Sequence, residues 1–246
     1  MISLKTLRTL STMDALSVSR DTLLRGMVIV PLILAIAARW VFPPAIEQAG
    51  TLLPFDLRSI YPQFMSYVLL LLAPAICGMV VGFALLDQRD DHTLTALQVT
   101  ALPLGVYLTY RLATPMVLSF AMALIALPLS GQANLNILEL LIVSLAAAPL
   151  APIVALFLGA YAANKVQGFA LQKALSVLLI APFIGNLFPM PWKLLAGLVP
   201  TYWPAALLWA LQAGTSYAWV LLPVGLLYQV MLLMGLLRRF NRVVHE

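Results

Sequence analysis

Six stretches of this chain, at about 22–42, 62–86, 106–129, 137–163, 171–188 and 215–237, are apolar for long enough to cross a bilayer. Each covers roughly 30 Å of hydrocarbon at about 1.5 Å per residue. In lipid, every backbone N–H and C=O must find its partner within the protein, so a continuous apolar run folds as a helix. A barrel would need short strands of alternating polarity instead. Only 9% of the 246 residues are charged, against about 25% in a soluble domain. That is too few to coat a water-facing surface. The sequence therefore predicts an all-α integral membrane protein of six transmembrane helices, forming one membrane domain over residues 1–246.

Lysine and arginine set the orientation. One side receives Lys5, Arg8, Arg20, Arg25, Arg89, Arg111, Lys165, Lys173, Arg238, Arg239 and Arg242, and the other only Arg39, Arg58 and Lys193. The positive-inside rule then puts both termini in the cytoplasm, and the expected location is the cell inner (plasma) membrane. The net charge of +5 is thereby a topology and phospholipid signal and points to no nucleic acid. Cys77 is the single cysteine, which excludes an intrachain disulfide and a cysteine-based metal site. Residues 27–36 share features with a signal peptide, but a long charged leader precedes them and Arg39 follows, so the leader is expected to be retained.

Two segments outside the spans have patterns of their own. Leu4, Leu7, Leu10, Met13 and Leu16 share one broad side of a helix over residues 1–20, opposite Lys5, Arg8 and Thr12. This suits a helix lying in the interface, with a flexible basic leader as the alternative. Residues 186–214 are apolar but broken by Pro189, Pro191, Pro200 and Pro204, and carry Trp192, Tyr202, Trp203 and Trp209. Prolines at this density oppose a full span, and the aromatics favour an interface. Short re-entrant or interfacial helices on the outer side are expected.

The loop between the second and third spans is the most polar part of the interior sequence, with Asp87, Gln88, Arg89, Asp90 and Asp91 in succession. Asp90 or Asp91 can cap a short helix in which Leu94 and Leu97 share an apolar side, with Pro103 closing it. Residues 87–104 thus predict a short amphipathic cytoplasmic helix. Its partner is either the membrane surface or a groove on a cytosolic protein. Three aspartates with His92 could hold a metal, but such neighbours on a solvated helix start are more often a cap and a charged face, and no metal site is expected. No G-x-x-x-x-G-K-[ST], G-x-S-x-G or paired-carboxylate arrangement occurs, so no catalytic residue is assigned and the chain is not expected to be an enzyme or to bind nucleotide. Mid-span ionisable groups are absent from the pattern, which disfavours an ion-coupled carrier. Glu139 suits the start of the fourth span. In the second span Tyr67, Pro74 and Gly78 fall on one stripe, and Gly78-x-x-x-Gly82 permits close helix approach, within the subunit, at a dimer seam or along a substrate path.

At this point the sequence resembles the ABC-2 type permeases, in particular their fluoroquinolone-export branch. The resemblance is carried by Arg20-Asp21, Pro31, Arg39 and Pro43, by G-M-V-V-G-F-A-L-L-D-Q-R-D-D-H-T-L-T-A-L-Q-V-T at 78–100, by Tyr107 to Arg111, and by A-A-N-K-V-Q-G-F-A-L-Q-K at 162–173. Gln88 and Gln167 stand where that family usually has glutamate. The resemblance implies a type V exporter-like architecture in which residues 1–20 form an interfacial elbow. It also implies that Asp87, Gln88, Arg89, Asp90, Asp91, Thr93, Leu94 and Leu97, with Lys165 and Gln167, face an ATPase. Two such ATPase subunits would carry the ATP and Mg, this chain binding no cofactor. A second permease copy, identical or not, would complete the unit. The cargo would be a hydrophobic small molecule, drug or lipid-like compound moved outward. A membrane scaffold recruiting a cytosolic partner and an ATP-independent carrier are the competing possibilities.

Overall fold

The structure is a computed structural model that describes residues 22–50, 56–91, 104–188 and 192–245. Among these residues it is all helix with no strand. The order is α1 (Thr22–Trp40), α2 (Phe42–Gly50), α3 (Leu57–Asp90), α4 (Leu104–Ser130), α5 (Ile137–Ala147), α6 (Leu150–Tyr161), α7 (Lys165–Leu178), α8 (Ala181–Leu187), a 3-10 helix (Trp192–Leu198), α9 (Tyr202–Gln212) and α10 (Ala218–His245). Among the described residues five helical stretches are long and apolar enough to span a bilayer, and the bent pair α1–α2 makes a sixth if it is one span. The expected interfacial segment at 1–20 lies outside the described residues.

α3 is the axis of the bundle, and its small residues explain why. A Cβ added to Gly78 would lie 2.8 Å from Val154 Cβ and closer still to the Ala151 carbonyl oxygen. One added to Gly82 would lie 2.9 Å from Leu158 Cδ1 and 3.3 Å from Ala155 Cα. Gly78 and Gly82 therefore meet Ala151 and Ala155, two small-x-x-x-small rows facing each other, and bring α3 and α6 to close approach. This is a contact inside the subunit. Pro74 is buried one turn away. Tyr67 is buried nearer the other end of α3, its ring 5.4 Å from Phe64 and from Trp209 and stacked at 5.9 Å on Phe183.

Span boundaries differ from the hydropathy limits in several places. α1 stops at Trp40, and a 48° bend leads into α2. Pro43 and Pro44 do not end the helix but sit in the first turn of the next one, where a missing N–H costs nothing. The Ala38 carbonyl at this bend accepts from Tyr61 OH at 2.5 Å and Gln132 Nε2 at 3.2 Å. α3 continues through Asp90, and Asp91 is its C-cap, its N–H reaching the Asp87 and Arg89 carbonyls. Asp87 to Asp90 are thus the last turn of the second span and not the start of a separate helix. The fifth span begins at Lys165, six residues before the apolar run, and is offset at Leu179–Ile180. Arg111, counted among the flanking cations, lies two turns inside α4 and is buried.

The fourth span breaks between α5 and α6 at Ala148–Pro149. Pro149 and Pro152 lack N–H groups, so the helical ladder reorganises around them. The Ala146 carbonyl accepts from Gln229 Nε2 at 3.1 Å, and Gln229, on α10, is 1% exposed. A polar side chain from a neighbouring helix thereby satisfies backbone at a proline break, the arrangement that lets such breaks exist inside a membrane. At the start of α5, Asn136 and Glu139 form a reciprocal capping box, at 2.9 and 2.8 Å.

Candidate coupling site

The residues singled out at 87–89 and 165–167 come together at one end of the bundle. Arg89 donates from Nη1 to the Gly159 carbonyl at 3.1 Å, and from Nη2 to the Ala162 and Ala163 carbonyls at 2.6 and 2.7 Å. These carbonyls end α6, so the guanidinium caps a helix C-terminus that leaves its acceptors unpaired and carries partial negative charge. Gln88 Oε1 accepts from the buried Tyr107 hydroxyl at 2.6 Å, tying the last turn of α3 to the first turns of α4. Asp87 Oδ1 lies 2.8 Å from Lys165 Nζ, with both side chains about half exposed. An ion pair this exposed contributes only about 0–1 kcal/mol, so its role is positional.

The α6–α7 connection is equally fixed. Asn164 caps α7 by accepting from Gln167 N–H at 3.0 Å, and Gln167 Oε1 accepts from Ala163 N–H at 2.6 Å. The amide serves here as well as a carboxylate, since the position requires only an acceptor. Gly168 lets the first turn of α7 lie against α3: a Cβ there would sit 2.8 Å from Phe83 and 3.0 Å from Leu86. Phe169 closes the contact, its ring 4.4 Å from that of Phe83.

The last turn of α3, the start of α4 and the α6–α7 connection are thus one bonded unit. Asp91 is exposed at its edge. Thr93, Leu94 and Leu97 lie outside the described residues, as does His92. Among the described residues no group of three or more histidine, cysteine, aspartate or glutamate side chains is placed to hold a metal. Tyr67, Pro74, Gly78 and Gly82 are not part of this unit. Gln229 was not singled out from sequence. A glutamine inside an apolar run was the available signal.

The proline-rich segment forms short pieces. The 3-10 helix is followed by α9, which at 11 residues is about 16 Å long, half a bilayer. α9 is almost wholly buried against its neighbours. Trp209 Nε1 donates to the Gln63 carbonyl at 3.3 Å and Trp203 Nε1 to the Gly197 carbonyl at 2.9 Å. The turn at its inner end is held by Thr201 Oγ1 donating to the Leu178 carbonyl at 3.1 Å and by Tyr228 OH donating to the Leu198 carbonyl.

Apolar spans joined by short bonded connections define a multi-pass helical membrane protein. Its family is also shown: residues 14–237 match the family described as fluoroquinolones export permease protein Rv2686c-like, and the chain belongs to that family. Two relatives from Mycobacterium tuberculosis are similar across nearly their whole length. They are the fluoroquinolones export permease proteins Rv2686c, of strain ATCC 25618 / H37Rv, and MT2760, of strain CDC 1551 / Oshkosh. Each is 33% identical over 224 residues, covering 90% of this chain and 88% of the relative. No solved structure matches the chain.

Proposed function

We propose that this chain is the permease subunit of an ATP-binding-cassette exporter, with ATP and Mg held by two copies of a separate ATPase chain. It is a transport subunit and performs no catalysis itself. The observation that carries this reading is the bonded unit at Asp87 to Arg89 and Lys165 to Gln167. A push on the segment after Asp91 would reach α3, α4, α6 and α7 together, because Arg89, Gln88 and Asp87 each bridge to a different element. A surface that only recruited a partner would have no need of links into four helices.

In this reading the segment after Asp91, through residue 101, seats in the ATPase, and the stretch from Lys165 to Gln172 makes a second contact. Residues 1–20 lie in the interface, and 186–214 close the outer end of the pathway without crossing. Both termini are cytoplasmic, on the arginine-rich side. Two permease copies face each other, and ATP-driven closure of the ATPases moves the cytoplasmic ends of the spans as rigid bodies. The relatives are named for fluoroquinolones. For this chain the apolar, charge-poor interior supports a hydrophobic small molecule as cargo.

Leu94→Asp tests the contact. A leucine filling a partner groove contributes about 1.5–3 kcal/mol, and a carboxylate there adds a desolvation cost. The variant should insert normally, while the ATPase no longer co-purifies and cargo no longer stimulates hydrolysis. Normal co-purification with normal transport would reduce the segment to a membrane-surface element and favour a scaffold instead.

A further inference from the structure

An elongated cavity of about 320 Å³ lies between α3, α6, α7 and α10. On α6 it runs from Leu150 to Tyr161, about 16 Å of helix. The turn Leu198–Thr201 closes it at one end, held by the hydrogen bonds from Thr201 and Tyr228. No aspartate, glutamate, lysine or arginine is among its lining residues, and Gln172 is its one side-chain amide. Gln172 Oε1 is buried there without a hydrogen-bond donor.

The opposite end of the cavity is different. Tyr161 forms its wall there, and the Arg239 guanidinium sits over the Tyr161 ring, 4.6 Å from its centre. On α10 the wall is the stripe Tyr228, Leu232, Leu236, and Arg239 is the next residue at helical spacing. An apolar channel about the length of an acyl chain thus ends at an exposed cation. Arginine pairs well with carboxylate and phosphate oxygens, and stacking on an aromatic ring holds it in place.

We propose that this cavity binds an anionic amphiphile, its apolar chain between α6, α7 and α10 and its carboxylate or phosphate head on Arg239. The same chemistry comes from a bilayer phospholipid or from a single-chain acid presented as cargo. The site is argued independently of the export reading, and either can fail alone.

Native mass spectrometry of the purified full chain tests it, with three probes offered at equal concentration. These are palmitoyl-oleoyl phosphatidylglycerol, phosphatidylcholine with the same chains, and myristic acid. The wild type should retain at least one anionic probe about fivefold over phosphatidylcholine, the ratio expected for one interfacial arginine. Retention of phosphatidylglycerol identifies a bilayer lipid, and retention of myristate alone identifies a single-chain ligand. Arg239→Gln should remove the preference and Arg239→Lys should keep part of it. Leu175→Trp, which fills the cavity from α7, should abolish retention while Arg239 remains. Equal retention of all three probes by the wild type overturns the proposal, whether or not the variants fold. So does unchanged retention in a folded Arg239→Gln or Leu175→Trp protein.

Discussion

Replacing Gly78 with valine should prevent the protein from accumulating in the membrane. The new Cβ would meet the Ala151 backbone carbonyl and Val154 Cβ, the latter at 2.8 Å. A backbone oxygen inside a helix cannot swing away as a flexible side chain can, so α3 and α6 must separate. Overpacking of this kind costs about 1–3 kcal/mol and occasionally more. Here the upper end is expected, because tight van der Waals contact is the main force between helices in lipid. Gly82→Ala should be milder, since its nearest atom is the Cδ1 end of the Leu158 side chain, at 2.9 Å, and the nearest backbone atom is 3.3 Å away. Thermal melting in detergent, with membrane yield, checks the order wild type, Gly82→Ala, Gly78→Ala, Gly78→Val. Equal stability of Gly78→Val and wild type would show that α3 and α6 do not touch there.

Arg89→Met should leave insertion intact and disconnect the two halves of the proposed coupling site. The side chain keeps an unbranched apolar stem but becomes shorter and loses three charge-assisted hydrogen bonds, to Gly159, Ala162 and Ala163. A hydrogen bond to a charged group contributes about 1.5–3 kcal/mol. The carbonyls at this end recover part of that through water, so the net loss of stability is expected to be about 2 kcal/mol. The functional loss should exceed it. With α3 no longer tied to the end of α6, cargo stimulation of ATP hydrolysis should fall about tenfold, while ATPase co-purification persists. That split distinguishes Arg89→Met from Leu94→Asp, which removes the contact itself. Unaltered stimulation by an inserted Arg89→Met protein would show that Arg89 only caps α6.

Hydropathy located the spans because it reports what lipid demands, and lipid dominates this chain. It did not locate helix ends, because a helix continues wherever its backbone is satisfied, apolar or not. Asp87 to Asp90 read as loop, yet they complete the last turn of α3. Residues 164–170 read as connection too, although Asn164 is a helix N-cap, accepting from Gln167 N–H. The first apolar run stops at about residue 42, just before Pro43-Pro44, where a further helix begins after a bend. The Gly78 and Gly82 spacing was visible, but not what it faced, since Ala151 and Ala155 come from a distant part of the chain. The partners of Arg89 and Gln229 are backbone carbonyls of other helices. A carbonyl has no signature in a sequence, so those links needed three dimensions.

The central claim is that transport through this chain is driven by ATP hydrolysed on another. Reconstitution into liposomes with a P-loop ATPase chain that co-purifies with it, with cargo uptake into inside-out vesicles as the readout, tests that directly. The account predicts no accumulation by this chain alone under any ion gradient. It also predicts ATP-dependent accumulation with both chains, and none when the P-loop lysine of the ATPase is replaced. Accumulation by this chain alone, driven by a proton or sodium gradient, would contradict it.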